Sequence, residues 1–178
     1  MAAAFETWAG DPAELDQCRT ASVAELVSHI MEQYHREARV EMARLETQAA
    51  EAALLEGLAC PELMVVRDEV ERFCQELRAH LKQEEQVVFP ALLAFDRDGG
   101  PVPAALRDPL LLLRDEHASA AGLMQRIQRL TEGFNPPQGA RAVQRKLFRS
   151  FHLLADSLER HIYLENQVLF KRVLHNQH

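Results

Sequence analysis

Two stretches of the chain repeat one another. His80-Leu-Lys-Gln-Glu84-Glu-Gln-Val-Val-Phe89 and His161-Ile-Tyr-Leu-Glu165-Asn-Gln-Val-Leu-Phe170 share His, Glu, Gln, Val and Phe at the same offsets, as if one design were used twice. In each, a histidine and a glutamate stand four residues apart. On a helix that spacing puts both on one face, about 5–6 Å apart at Cβ, so both reach the same ion. Imidazole with carboxylate suits iron, and two carboxylates can bridge two metals while offsetting much of their charge.

The surroundings sharpen this reading. One helical pattern places apolar residues at Leu63, Val66, Val70, Phe73 and Leu77, then His80 and Glu84, then Val87 and Ala91. Steps alternating three and four are the seam of a packed helix. A later pattern repeats it with Leu147, Phe151, Leu154, Leu158, His161, Glu165 and Val168, and between them lie Leu106, Leu110, Leu113, His117, Ala120, Met124 and Ile127. Polar groups buried in such slots cost free energy unless paired, and an isolated buried carboxylate would sooner take up a proton. A single such residue would read as a satisfied core histidine. Five at one level of a bundle need a shared partner, and bundle cores are a known place for di-metal sites.

His29, beside Leu26 and Ile30, sits on a less regular seam and alone reads as a structural or surface histidine. It enters the set because one histidine each on the first and third helices, with His-x-x-x-Glu on the second and fourth, makes the halves symmetric. His35 follows six residues later, about 600° of helical turn, and is expected to point elsewhere, to the surface or behind a ligand. Glu76 and Glu116 read either as surface charge or as a polar entry path or contact that orients a ligand. Ala120, Ala121 and Gly122 either leave room for a small exogenous ligand or permit close helix packing. His152, His175 and His178 are expected to be solvated.

The elements that must position these residues follow from local signals. Residues 1–20 show no sustained periodicity and read as a tail or a short docking helix. Ser22-Val-Ala-Glu25 has capping-box form and opens a helical pattern reaching about Glu56, which Gly57 through Pro61 punctuates. A second helix is expected from about Glu62 to Phe95, kinked or ended locally by Pro90. Asp96 through Pro103 reads as a loop, and Asp108-Pro109 as an N-cap with proline at the first helical position, a short turn through Ala104–Arg107 standing ahead of it. That third helix runs to about Glu132. After a Gly133–Gly139 loop, a fourth spans about Ala140 to Leu174. The expected fold is all-α, an antiparallel up-down four-helix bundle over residues 21–178.

Composition agrees. Of 178 residues, 47% are hydrophobic but only 6% aromatic, a mix that favours helix. A net charge of −7 without clustered Lys/Arg argues against nucleic-acid and anionic-membrane surfaces. The first residues lack the basic and apolar regions of a secretory signal, and the longest aliphatic run, Leu110 to Leu113, is far below spanning length. Three cysteines, Cys18, Cys60 and Cys74, without a Cys-x-x-Cys pair, fit a reducing cytoplasm and read as packing residues.

Taken together, these motifs resemble the haemerythrin-like HHE family, and within it the iron–sulfur cluster repair di-iron (RIC) proteins. The segment from Arg19 through His29 to His35 is similar to that family's opening segment. His80-x-x-x-Glu84-Glu-Gln-Val-Val-Phe-Pro90, Asp115-Glu-His117 and His161-Ile-Tyr-Leu-Glu165-Asn are similar to its later motifs. The resemblance covers about residues 19–172. It implies His29, His80, His117 and His161 as terminal ligands of two iron ions, with Glu84 and Glu165 bridging them, alongside an oxo bridge or water. The family also shows a histidine at the position of His35. Full-length members carry a further N-terminal domain with a cysteine pair, which no segment here resembles. Oxygen carriers use additional ligands after the third-helix histidine, where this chain has Ala121 and Gly122, so reversible oxygen carriage is not expected. The implied function is nitrosative and oxidative stress defence by repair of iron–sulfur proteins, with nitric oxide or oxygen as small ligand. The alternatives are a nitric-oxide or oxygen buffer or sensor without repair, and enzymatic turnover of nitric oxide or peroxide.

Overall fold

Side-chain caps set where the first two helices begin. The computed structural model describes residues 7–98 and 103–175. Asp11 accepts the amide of Ala13 at 2.9 Å and Pro12 fills the first helical position, where its missing N–H is no loss, so a short helix α1 runs Pro12–Thr20. Ser22 N–H donates to Glu25 Oε2 at 2.8 Å and Glu25 N–H to Ser22 Oγ at 3.2 Å, the expected box. It opens α2, residues 23–56; α3 covers residues 62–98, α4 Ala104–Leu130, and α5 residues 142–175. Among the described residues there is no strand, and no helix is long and apolar enough to cross a membrane.

Two boundaries differ from expectation. α4 begins at Ala104, not at Asp108, because the Pro103 carbonyl accepts the amides of Leu106 and Arg107 at 2.9 and 3.0 Å. Pro109 lies within the helix; the carbonyl it leaves without a partner, four residues back on Ala105, is at an exposed position where water can serve it. α3 continues to Asp98, and residues 99–102 of the expected loop lie outside the described residues.

Three of the long helices contain a widened, π-helical turn: Ile30–His35 in α2, Glu84–Val88 in α3 and Leu164–Leu169 in α5. In them Arg36 N–H reaches Met31 O, Phe89 N–H reaches Glu84 O and Phe170 N–H reaches Glu165 O, five residues back instead of four. Pro90 follows the second of these turns, yet the matching position in α5 is Lys171 and the turn is still there. Proline is therefore not its cause, and α3 is widened, not ended, at that point. The extra residue shifts the seam: Val88 and Leu92 are buried, whereas the expected seam positions Val87 and Ala91 are exposed. α4 has no widened turn and keeps its seam from Leu106 to Ile127.

α2 packs against α3 and α5, and α3 against α4. The apolar interior falls into two parts. One gathers residues such as Met42, Leu45, Phe73, Leu77, Leu147 and Phe151; the other gathers Leu26, Ile30, Phe89, Leu110, Leu169 and Phe170. Leu15 and Cys18 bring α1 onto the second part. A polar layer lies between them. The three cysteines are free thiols, and burial pushes Cys74 up to about 12 and Cys18 up to about 11, so neither offers a thiolate at neutral pH.

Candidate metal centre

The polar layer is built from four helices. α3 supplies His80 and Glu84, α5 supplies His161 and Glu165, α4 supplies His117, and α2 supplies His35. Their donor atoms form two groups, His35–Glu84–His161–Glu165 and His80–Glu84–His117–Glu165, with the atoms of each group within 4.8 Å of one another. In the first, His35 Nε2 is 3.1 Å from His161 Nε2 and 3.5 Å from Glu84 Oε2, and His161 Nε2 is 2.9 Å from Glu165 Oε1. In the second, His117 Nε2 is 3.0 Å from His80 Nε2 and 3.1 Å from Glu165 Oε2, and His80 Nε2 is 3.2 Å from Glu84 Oε1. Each carboxylate thus turns one oxygen to each group, which is the disposition a bridge between two cations requires.

His29 is not among them. Its Nε2 lies 3.0 Å from Glu14 Oε1, and its side chain is 37% exposed. His35, fully buried, takes the place expected for it. The widened turn explains the miss, since rotation counted at 3.6 residues per turn from His29 does not survive it. A usable signal ran the other way: Ala52, Ala49, Leu45, Met42, Ala38 and His35 step back by threes and fours, and all are buried.

What stands behind His35 and His117 follows the internal repeat. His35 Nδ1 donates to Glu85 Oε1 at 2.7 Å, and Arg39 holds the same oxygen at 2.7 Å. His117 Nδ1 meets Asn166 Oδ1 at 3.1 Å. Glu85 and Asn166 each follow the glutamate that their helix gives to the layer. Phe89 stacks on His35 and Phe170 on His117, again from matching positions. His80 Nδ1 donates to Glu116 Oε2 at 2.8 Å, so Glu116 orients a histidine and is not idle surface charge. Carboxylates accept only, which fixes a proton on Nδ1 of His35 and His80 and leaves the inward Nε2 to take either a metal ion or a second proton. Glu76 pairs with Arg72 at 2.9 Å and, with Phe73, Leu77, His80, Glu116 and Ala120, lines a cleft of about 270 Å³. A Cβ on Gly122 would meet nothing within 4 Å, so that glycine reserves no space in the interior. His152 is exposed, with Phe134 against its ring edge. The side chain of His175, and all of His178, lie outside the described residues.

The residues fit a pair of cations. Two imidazole nitrogens facing one another at 3.0–3.1 Å repel unless a proton or a metal ion lies between them. Both oxygens of Glu84 and Oε2 of Glu165 are buried without an aligned hydrogen bond, an arrangement costly for a carboxylate. Burial and the neighbouring Glu165 push the Glu84 carboxyl up, but His117 and His80 hold it below its ordinary 4.5. Burial likewise opposes charge on Glu165, and His161, His117 and His35 hold it well below. Burial pulls His117 down, but Glu165 and Glu84 outweigh that and raise it to about 10. The layer calls for positive charge, and protons or metal ions can supply it.

Comparison with known proteins agrees with this geometry. The family described as Hemerythrin HHE cation binding domain matches residues 26–173. A probable iron-sulfur cluster repair protein of Haemophilus influenzae is 31% identical over 160 residues, 89% of this chain and 68% of that protein. The iron-sulfur cluster repair protein YtfE of Citrobacter koseri is 30% identical over 166 residues, 93% of this chain and 72% of the relative. Its counterpart in Pectobacterium carotovorum is 26% identical over 179 residues, 99% and 77% of the two chains.

Proposed function

Since this chain belongs to the hemerythrin HHE cation-binding family, we propose that it is a cytoplasmic di-iron protein that restores damaged iron–sulfur clusters under nitrosative and oxidative stress. The single observation that carries the metal reading is the sharing of Glu84 and Glu165 between two histidine pairs. In this reading His35 and His161 hold one iron, His80 and His117 the other, and the two glutamates bridge them. The direction of the function comes from relatives named for cluster repair.

Six protein ligands leave positions on two irons for an oxo group, water or a small molecule such as nitric oxide. The iron pair, when bound, supplies the affinity for such ligands and a store of transferable metal. The chain's own contribution is to hold the histidines with Nε2 inward, to keep the carboxylates ionised and to shield the layer between two apolar cores. Iron release is coupled to protons, because every departing ion leaves histidines that the two glutamates draw into protonation.

The test is anaerobic. Purified protein is assayed for iron, then incubated with a cluster enzyme inactivated by nitric oxide, and recovery is followed with iron accounting. About two irons per chain, and recovery that consumes them, is the expected result. Two irons that bind nitric oxide but stay on the protein while the enzyme remains inactive would mean a buffer instead of a repair protein. Absence of iron overturns the metal reading itself.

A further inference from the structure

Three of the four histidines have their outer nitrogen held by a polar group: His35 by Glu85, His80 by Glu116 and His117 by Asn166. His161 does not. Its Nδ1 is buried and has no hydrogen-bond partner. The repeat shows what replaces one. Glu116 precedes His117 on α4 and reaches across to His80; the residue preceding His35 on α2 is Tyr34, and it reaches across to His161, the counterpart of His80. Where α4 offers a carboxylate, α2 offers an aromatic ring, stacked on the imidazole with centroids 6.1 Å apart and planes 18° from parallel.

A stacked ring orients only if it is itself fixed. Tyr34 is 2% exposed, and its hydroxyl donates to Glu14 Oε1 at 2.5 Å. Glu14 belongs to α1, and the same oxygen holds His29 Nε2 at 3.0 Å. His29 in turn sets its ring edge-on to Tyr34, centroids 5.7 Å apart. α1 is pinned in place by Arg172, which donates to the carbonyls of Cys18, Arg19 and Ala21 at its C-terminal end, and by Trp8 against Tyr163.

We infer that Tyr34 and Glu14 are positioning residues for the iron held by His35 and His161: α1 supplies, through the Tyr34 ring, the orientation of His161 that a hydrogen bond supplies to the other three histidines. The inference rests on the metal-centre reading above. It makes the two irons respond differently to changes in α1, because the His80–His117 position has its own orienting groups, Glu116 and Asn166.

The experiment uses the full iron-loaded chain. Release of each iron to excess chelator is followed in time, and Mössbauer spectra of ⁵⁷Fe-loaded protein resolve the two sites. Tyr34→Leu is expected to speed loss of one iron about tenfold or more, the range known for groups that orient ligand histidines, leaving the other within about twofold. Tyr34→Phe, which keeps the ring, retains most of the slow release. Tyr34→Phe and Glu14→Ala break the same bond, so the double variant is expected to release iron no faster than the faster single. Glu116→Ala should perturb the other iron's signal, which identifies the sites. Equal acceleration of both irons in Tyr34→Leu, additive effects of the two mild changes, or rates within twofold of wild type in Tyr34→Leu each overturn the inference. Wild-type protein without two irons overturns the underlying reading instead, so the two failures are told apart.

Discussion

Glu84 and Glu165 each face both histidine pairs, so the proposed centre gives single residues unequal weight. His35→Ala removes a donor from the layer and is expected to leave fewer than two irons per chain, whereas His29→Gln, at a residue whose ring meets Glu14 and Tyr34 and lies outside both donor groups, keeps two. Elemental analysis of the two variants decides between the histidines. The pH dependence of the metal-free chain follows from the same residues. His117, raised from 6.5 to about 10, contributes stability that is full below pH 6.5 and lost as pH climbs towards the raised value. His35 and His80 are raised likewise: burial opposes their charge, but hydrogen bonding to Glu165 and to Glu84 respectively outweighs it. The lowered glutamates contribute above 4.5 and lose it as pH falls. Metal-free protein should therefore be most stable between 4.5 and 6.5, with a melting temperature that declines from 6.5 towards about pH 10. Iron-loaded protein, whose histidines carry metal in place of protons, should lose stability on the acid side instead. Circular dichroism melts with and without chelator check both signs, and a metal-free melting temperature that rises over that alkaline range would refute the assignment.

At the level of elements, the widened turns are the feature on which the centre depends. Removing exposed Gln86 from the turn in α3 would bring Val88 and Leu92 three and seven residues after Glu84, a regular α-helical seam with the same core residues. The deletion is expected to leave helical content and cooperative folding intact while metal content falls from two towards one ion per chain, because Glu85 no longer holds His35. Circular dichroism and elemental analysis on the same sample test it; full metal content would show that the turn is incidental. These turns also mark where sequence reading stops. The capping box, the α4 seam and the α3 seam down to Glu84 were legible because they follow short-range hydrogen bonding and a 3.6-residue period. Val88, Leu92 and His35 were not, since a bond five residues back has no compositional signature, and the proline after one such turn is absent after its twin. The start of α4 was missed for a related reason: Pro109 is as good a first helical residue as an interior one when the carbonyl behind it faces water. The roles of Glu14 and Tyr34 depend on α1, whose lack of periodicity concealed where it packs.

For the molecule as a whole, a layer of ionisable groups divides the apolar interior in two. Chelation removes the charge that matches this layer, and free metal at a thousand times its dissociation constant is worth about 4 kcal/mol of stability. For each ion removed, a chain of this size should then melt about 8–16 °C lower. Calorimetry before and after chelator treatment measures it, and an unchanged melting temperature at saturating metal would mean that the ions do not bind this layer. The division of ligands between helices has a consequence for biosynthesis. α2 shares its position with α5, and α3 shares its position with α4, so each takes one histidine from the first half of the chain and one from the second. A polypeptide still emerging from the ribosome cannot complete either cage until Glu165 has left the exit tunnel. In the proposed centre, iron is therefore taken up only after α5 has been made, and a product truncated before Glu165 cannot sequester iron by this arrangement.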